Sequence, residues 1–429
     1  MSAIRTSQEY STVMKNGNFD FVFPLQKTST ATIYIKNDLA FSPGTFSIIV
    51  NPGDSLHFTV PSASKLGLVN MNVSGIGKEK IILFRDVIKE VYSSRLFKKA
   101  YNKQTVTEKY LEVDRSLDII DSVFQKIKRP HSIDHQLIHA QLVDQALDMI
   151  LIHSLQNKSD STLLLFNKYL LKKKRIKPLL NRNSIEYFGG FRLIPNYLSL
   201  LNRMNGGQNL KRFADPSEYN SMIVKEFKRV PYIRDYLLSD LALQIFEEHW
   251  NDNISKKMFD FYISHVNKKE YLYKKVIDEF KHVELYLQPG KPFFKFALPD
   301  TTGKVHKLED FKGKIVVVDF WFTGCAGCKD VSPILAKIEE EMKNDSIQFV
   351  SINVDNMATW KLGIGEYSSK NSLQLYTEEQ RFYHPIIKFA KIPAYPTLIV
   401  LDKQGNLVGM APNPVSHLEE FKTYIRKLL

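Results

Sequence analysis

Ile315-Val-Val-Val-Asp-Phe-Trp-Phe-Thr-Gly-Cys-Ala-Gly-Cys-Lys329 runs a near-continuous apolar stretch straight into a Cys-X-X-Cys phrase. An apolar run of this kind reads as a strand buried inside a sheet with helices on both faces. The cysteines fall at the junction between this strand, Lys314–Phe322, and a helix expected from about Ala326 to Met342. Cys325 then sits at a helix N-terminus, where unpaired backbone N–H groups and the helix dipole stabilise a thiolate. Cys328 follows one turn along, near enough to close a disulfide onto it. These are the only two cysteines in 429 residues, which points to dithiol–disulfide chemistry. Zinc and a purely structural disulfide are the alternatives. Zinc would need three or four ligands, and neither a second Cys-X-X-Cys nor a compact Cys/His set accompanies the pair.

Working outward, the Pro/Gly-rich joint Gln288-Pro-Gly-Lys-Pro-Phe293 opens a domain expected to span 288–429. Its remaining elements are a short strand at Phe294–Leu298, a buried strand at Ile347–Asp355 and a helical patch around Trp360. A short helix at Pro385–Ala390, the strands Pro396–Leu401 and Leu407–Met410, and a last helix at Val415–Leu429 complete it. The order is that of a mixed sheet sandwiched by helices.

Residues 77–287 carry helical periodicity, with stripes through Ile81–Leu96, Leu117–Ile127, Ile138–Leu155, Leu163–Leu171, Tyr219–Phe227, Ile233–Trp250 and Met258–Phe280. They predict a bundle of seven or eight helices. Residues 1–76 alternate instead: Thr32–Ile35, Thr45–Val50 and Leu56–Val60 are separated by the turn signals Ser42-Pro-Gly44 and Asn51-Pro-Gly-Asp54, a small antiparallel β-domain. The fold class expected is a multidomain α+β chain ending in an α/β sandwich.

The net charge of +13 is uneven: residues 290–429 hold 18 Lys and Arg against 16 Asp and Glu, leaving 41 against 30 before them. Lys172-Lys-Lys-Arg175 is the densest basic run. It reads as the solvated end of a helix, where cations suit the dipole, with contact to an acidic membrane surface as the alternative. No nucleic-acid module pattern accompanies it, so no nucleic-acid partner is expected. His131, His135 and His139 recur every four residues, but no further ligand set joins them, so no metal is expected. No run of about 18 apolar residues exists. The start Met1–Tyr10 is polar and lacks the apolar core of a secretory signal, which fits either an intracellular protein or a trimmed form.

Three phrases in order carry a family resemblance. Gly290–Gly303 with Leu308-Glu-Asp-Phe-Lys-Gly-Lys314, then Val318–Lys329, then Ile392-Pro-Ala-Tyr-Pro-Thr-Leu-Ile-Val-Leu-Asp402 resemble the TlpA/ResA-like thiol–disulfide oxidoreductases of the thioredoxin superfamily, in the redoxin/AhpC-TSA group. The match covers about a third of the chain. The phrase Ile48–Ser55 more loosely resembles the N-terminal extensions of such proteins in Bacteroidota. The resemblance implies a thioredoxin-like domain, Cys325 as nucleophile and Cys328 as resolving thiol. It implies Asp319 as the buried carboxylate that moves protons for Cys328, and Pro396 as the cis-proline, with Pro393 the competing position. Tyr395, Trp321 and Gly324 are the implied substrate-binding neighbours. Lys329 reads as a surface lysine, with thiolate support as the alternative.

The function implied is reduction of protein disulfides in the cell envelope or periplasm, with no cofactor and with electrons from a membrane thiol reductant. An envelope client-binding protein and a thiol peroxidase are the alternatives, although no Pro-x-x-x-Thr-x-x-Cys phrase ends at Cys325. Two departures stand out. The family's Trp before the first cysteine is Gly324 here, and its Pro before the second is Gly327.

Overall fold

The structure is a computed structural model. It describes residues 22, 24–31, 48–59, 72–93, 101–127, 132–157, 159–188, 193–207, 216–248, 250, 253–270, 272–343, 346–392 and 394–429. The expected strand Thr32–Ile35, the turn Ser42–Gly44, His131 and Pro393 lie outside these residues. Contacts divide the chain into two compact units, one of residues 1–212 with 217–238, the other of 213–216 with 239–429.

In the first unit, β1 (Ser29–Ala31) pairs antiparallel with β2 (Ile48–Val50), and β3 (Ser55–Thr59) with β4 (Asn72–Ile76). The helices α1 (Lys78–Ser93), α2 (Val106–Gln125), α3 (Ile133–Gln156), α4 (Asp160–Phe166), α5 (Arg182–Phe188), α6 (Leu193–Met204) and α7 (Pro216–Glu226) follow. Then comes α8 (Pro231–Glu248), within which the division falls. Helix starts are set by local chemistry. Thr105 and Glu108 form a reciprocal capping box on α2, each side chain bonding the other's backbone N–H. The bundle has more helices than the stripes predicted, because α5 and α6 follow one another closely and α6 carries Pro195 inside its apolar pattern.

The basic run divides by environment. Lys172, Lys173 and Lys174 are exposed, while the Arg175 side chain is only 9% exposed and lies on the acidic face of α2. Its guanidinium bonds Asp114 at 2.7 Å and Asp121 at 3.1 Å, and it also pairs with Asp118. Burial, the largest single effect, lowers the guanidinium pKa, but Asp118 and Asp114 together outweigh it and hold that pKa above its usual value. Arg175 is therefore a structural clasp and not part of a solvated helix end. Arg175→Met leaves a half-buried acidic row with Lys173 as its remaining cation, and about 2–3 kcal/mol of stability is expected to be lost. Urea unfolding followed by far-ultraviolet circular dichroism measures this, and an unchanged midpoint would show the clasp to be idle. His139 pairs with Asp121 at 3.0 Å and stacks on Phe124, and no group of three metal-ligating side chains occurs among the described residues.

From Ser239 in α8 the second unit continues through α9 (Asn253–His265) and α10 (Tyr273–Tyr286), the single stripe Met258–Phe280 being broken by a turn at Asn267–Glu270. A short antiparallel pair, β5 (Ala297–Pro299) with β6 (Val305–Lys307), precedes the main sheet. That sheet has the order β11-β10-β7-β8-β9, from β7 (Ile315–Trp321), β8 (Ile347–Asn353), β9 (Leu373–Tyr376), β10 (Thr397–Leu401) and β11 (Leu407–Met410). β7, β8 and β9 are parallel, while β10 and β11 run antiparallel to their neighbours. The helices are α11 (Ala326–Glu341), α12 (Met357–Gly363), α13 (Pro385–Ala390) and α14 (Leu418–Arg426). The fold class is thus two small strand pairs, a helical bundle and a C-terminal thioredoxin-like domain.

Every residue of β7 is buried, since helices cover both faces. Its odd-numbered residues Ile315 and Val317 pack against Val331, Leu335 and Ile338 of α11 and Phe421 of α14. The period of two places Asp319 and Trp321 on that same α11 face. β9 was absent from the sequence reading because Leu373-Gln-Leu-Tyr376 is too short to show a period among its polar neighbours. The last helix is shorter than read, as Asn413-Pro414 and the Val415–His417 turn precede it.

Candidate active site

Strand register brings the site together. β10 starts at Thr397, opposite Phe320 at the end of β7, so the residues just before Thr397 lie beside the residues just after β7. Those residues are Tyr395-Pro396, joined by a cis peptide bond, and the turn Phe322-Thr323-Gly324 leading to Cys325. Cys325 and Cys328 form a disulfide with Cα atoms 5.2 Å apart. Cys325 is the N-cap of α11, and its Sγ accepts the Cys328 backbone N–H at 3.1 Å. The same sulfur lies 3.5 Å from the Tyr395 carbonyl oxygen. Cys325 is 5% exposed and Cys328 is 1% exposed. Cys325 is thus the more exposed of the pair, and its sulfur is the one beside the cis-proline edge.

The turn is held from β8. The Thr323 N–H donates to Asp355 Oδ2 at 2.7 Å, Asn353 Nδ2 donates to the same oxygen at 3.1 Å, and the Thr323 hydroxyl donates to the Thr359 carbonyl at 3.0 Å. Neither Asp355 nor Thr323 stands out as a site residue in the sequence; the one signal is the polar Asn353 and Asp355 at the end of an otherwise buried strand.

Gly324 has φ +92° with open space around its missing Cβ, so backbone conformation, not crowding, requires glycine there. Gly324→Ala is expected to cost roughly 1–2 kcal/mol and displace the turn. Comparing thermal midpoints of the oxidised proteins tests this, and equal midpoints would refute it. At Gly327 the reason differs: a Cβ would stand 3.0 Å from Pro396 Cδ.

Asp319 is 4% exposed, and burial pushes its carboxyl up to about 7, with the nearby Glu339 charge adding to the effect and a Ser351 hydrogen bond opposing it. Ser351, its register partner on β8, donates to Oδ2 at 3.5 Å, while Oδ1 is buried without a partner. Glu339 on α11 is itself raised by burial, against hydrogen bonds from Ser372 and Ser369. Burial and the Glu339 charge thus act in the same direction, favouring a neutral Asp319.

The other candidates fall in distinct places. Trp321 is fully buried, packed with both cysteines, Trp360 and Tyr376. It shares the core that holds the disulfide and presents no exposed surface. Tyr395 forms an aromatic trio with Phe322 at 5.5 Å and Phe382 at 5.8 Å. Phe382 is 48% exposed, so an apolar ledge flanks Cys325. Lys329 is exposed and its ammonium bonds Glu366 at 2.8 Å, which holds its pKa above the usual value.

Residues 313–407 match a protein-family model described as Thioredoxin-like. Among curated proteins, the thiol-disulfide oxidoreductase ResA of Bacillus thuringiensis is 23% identical over 142 residues, covering 33% of this chain and 79% of that one. The thioredoxin-like protein YneN of Bacillus subtilis is 26% identical over 129 residues, covering 28% and 70%. Among solved structures, the thioredoxin domain of a thiol-disulfide oxidoreductase from Bacteroides vulgatus is 25% identical, covering 33% of this chain and 98% of that one, with a TM-score of 0.30. The C-terminal third of this chain is a redoxin domain of the thioredoxin superfamily, distantly related to ResA-like proteins and carrying the cysteine pair of a thiol–disulfide oxidoreductase.

Proposed function

We propose that the protein reduces disulfides of other proteins in the cell envelope by cycling Cys325 and Cys328 between dithiol and disulfide, as a TlpA/ResA-like enzyme of the Bacteroidota type. The observation that carries this reading is a disulfide at the N-terminus of α11 whose outer sulfur lies 3.5 Å from the Tyr395 carbonyl. In the reduced protein the Cys325 thiolate attacks one sulfur of a substrate disulfide. A mixed disulfide forms, and the other substrate sulfur leaves as a thiolate. Cys328, deprotonated, then attacks Cys325 Sγ, expelling the second substrate thiolate and closing the Cys325–Cys328 bond. Two electrons pass to substrate, and a membrane dithiol reductant returns them.

Asp319 takes the Cys328 proton, a role that a carboxyl poised near neutrality can fill. The helix N-terminus stabilises the Cys325 thiolate in the reduced form. Substrate lays its backbone along the Tyr395–Pro396 edge as an added strand, over the ledge of Phe322, Phe382 and Tyr395, with Gly324 leaving the approach open. An envelope location is supported by the ResA-like resemblance and by the compartments in which protein disulfides persist. Insulin reduction by the full chain tests the reading, and a wild-type rate no faster than the dithiothreitol background overturns it.

A further inference from the structure

Phe382 and Tyr395, both at the site, meet edge-on with ring centroids 5.8 Å apart. Between them α13 carries the chain away, and its far end is held by α10. The His282 imidazole Nε2 lies 3.0 Å from the Phe389 carbonyl oxygen, and the two rings meet edge-on at 5.6 Å. Tyr286, one turn along α10, adds a second ring contact with Phe389 at 6.0 Å. Lys391 caps α13 in the left-handed region, at φ +48°. Such a backbone is unfavourable for a lysine. Its side chain is 10% exposed and its ammonium is ion-paired with Glu279 of α10. Tyr395 follows four residues later.

We propose that α10 is a brace for the substrate edge: Glu279 and His282 are positioning residues that hold Lys391 and Phe389 at the end of α13, so that the Tyr395–Pro396 backbone beside Cys325 is ready to accept a protein strand. The inference rests on the reading above, in which a protein disulfide pairs with the Tyr395–Pro396 edge. A strand that adds to an edge gains its hydrogen bonds only where the receiving backbone is already ordered, since any ordering left to do is subtracted from binding. A small aromatic disulfide such as DTNB needs only the Cys325 sulfur. The brace therefore matters for one substrate and not for the other.

Two full-chain variants remove the brace by different routes. Lys391→Gly abolishes the ion pair while keeping a residue that adopts φ +48° without strain. The double variant Glu279→Gln with His282→Ala leaves Lys391 in place. In both, KM for insulin is expected to rise about fivefold with kcat unchanged within about twofold, while kcat/KM for DTNB stays at the wild-type value. A fall in activity toward insulin and DTNB alike would show the contacts to be merely structural, and an unchanged insulin KM would show that the edge needs no brace; either result overturns the inference. A wild-type protein that turns over neither disulfide overturns the oxidoreductase reading and the brace with it. Wild-type turnover of both disulfides with unchanged variants overturns the brace alone.

Discussion

Cys325→Ser is expected to lower insulin-reductase activity at least about a thousandfold, to the uncatalysed background, because a serine oxygen cannot form the mixed disulfide through which the exchange passes. The geometry makes the two cysteines unequal. Cys325 Sγ is the sulfur beside the Tyr395 carbonyl, while Cys328 is 1% exposed and lies behind it. Cys328→Ser therefore has a different outcome: attack still occurs, resolution does not, and a mixed disulfide with substrate accumulates. Non-reducing electrophoresis of the two variants after incubation with an oxidised protein separates the roles. A trapped adduct on Cys325→Ser, or full turnover by it, would reverse the assignment.

Asp319→Asn is expected to stabilise the protein above neutral pH while slowing its chemistry. The folded carboxyl titrates at about 7, against about 3.9 for an unfolded aspartate. Between those values the folded state holds a proton that the unfolded state has released, so stability falls as pH rises through this window. The deficit is complete above pH 7 and absent below about pH 4. A shift of roughly three pKa units corresponds to about 4 kcal/mol as an upper bound. Asparagine cannot ionise, so its variant lacks that slope. Urea denaturation at pH 5 and pH 8 measures the difference, and parallel pH dependence in the two proteins would refute the assignment. With Asp319 in its proposed role as proton acceptor for Cys328, the resolving step of the variant is expected to slow by about a hundredfold or more at pH 8, where the wild-type carboxyl is ionised.

Much of this domain was legible in the sequence because its signals are local. An unbroken apolar run with one aspartate announces a doubly covered strand, and two cysteines three apart at its end announce a helix N-cap. What was not legible depends on register and on tertiary partners. β9 is four residues long. Ser351 meets Asp319 only because β7 and β8 pair in parallel at that offset. Glu339 reads as one of three acidic residues in a helix, and only burial with Ser369 and Ser372 separates it from Glu340 and Glu341. The family resemblance implies Trp321 as a substrate-binding neighbour, yet its ring is wholly buried with both cysteines, Trp360 and Tyr376. The aromatic ledge draws on positions 322, 382 and 395, a spacing that no linear pattern marks.

The approach of Gly327 to Pro396 Cδ has a bearing on how this site can diversify. The two residues enclosed by the cysteines lie nearest both sulfurs, and any change in their chemistry is felt directly there. The two differ in what a change must move: a methyl group at 327 would stand 3.0 Å from Pro396 Cδ, so a side chain there has to shift the proline ring by a few tenths of an ångström. Ala326 is exposed, so a side chain there meets no such resistance. Residue 326 can therefore change the chemistry around the sulfurs by itself, whereas residue 327 changes it together with the cis-proline loop.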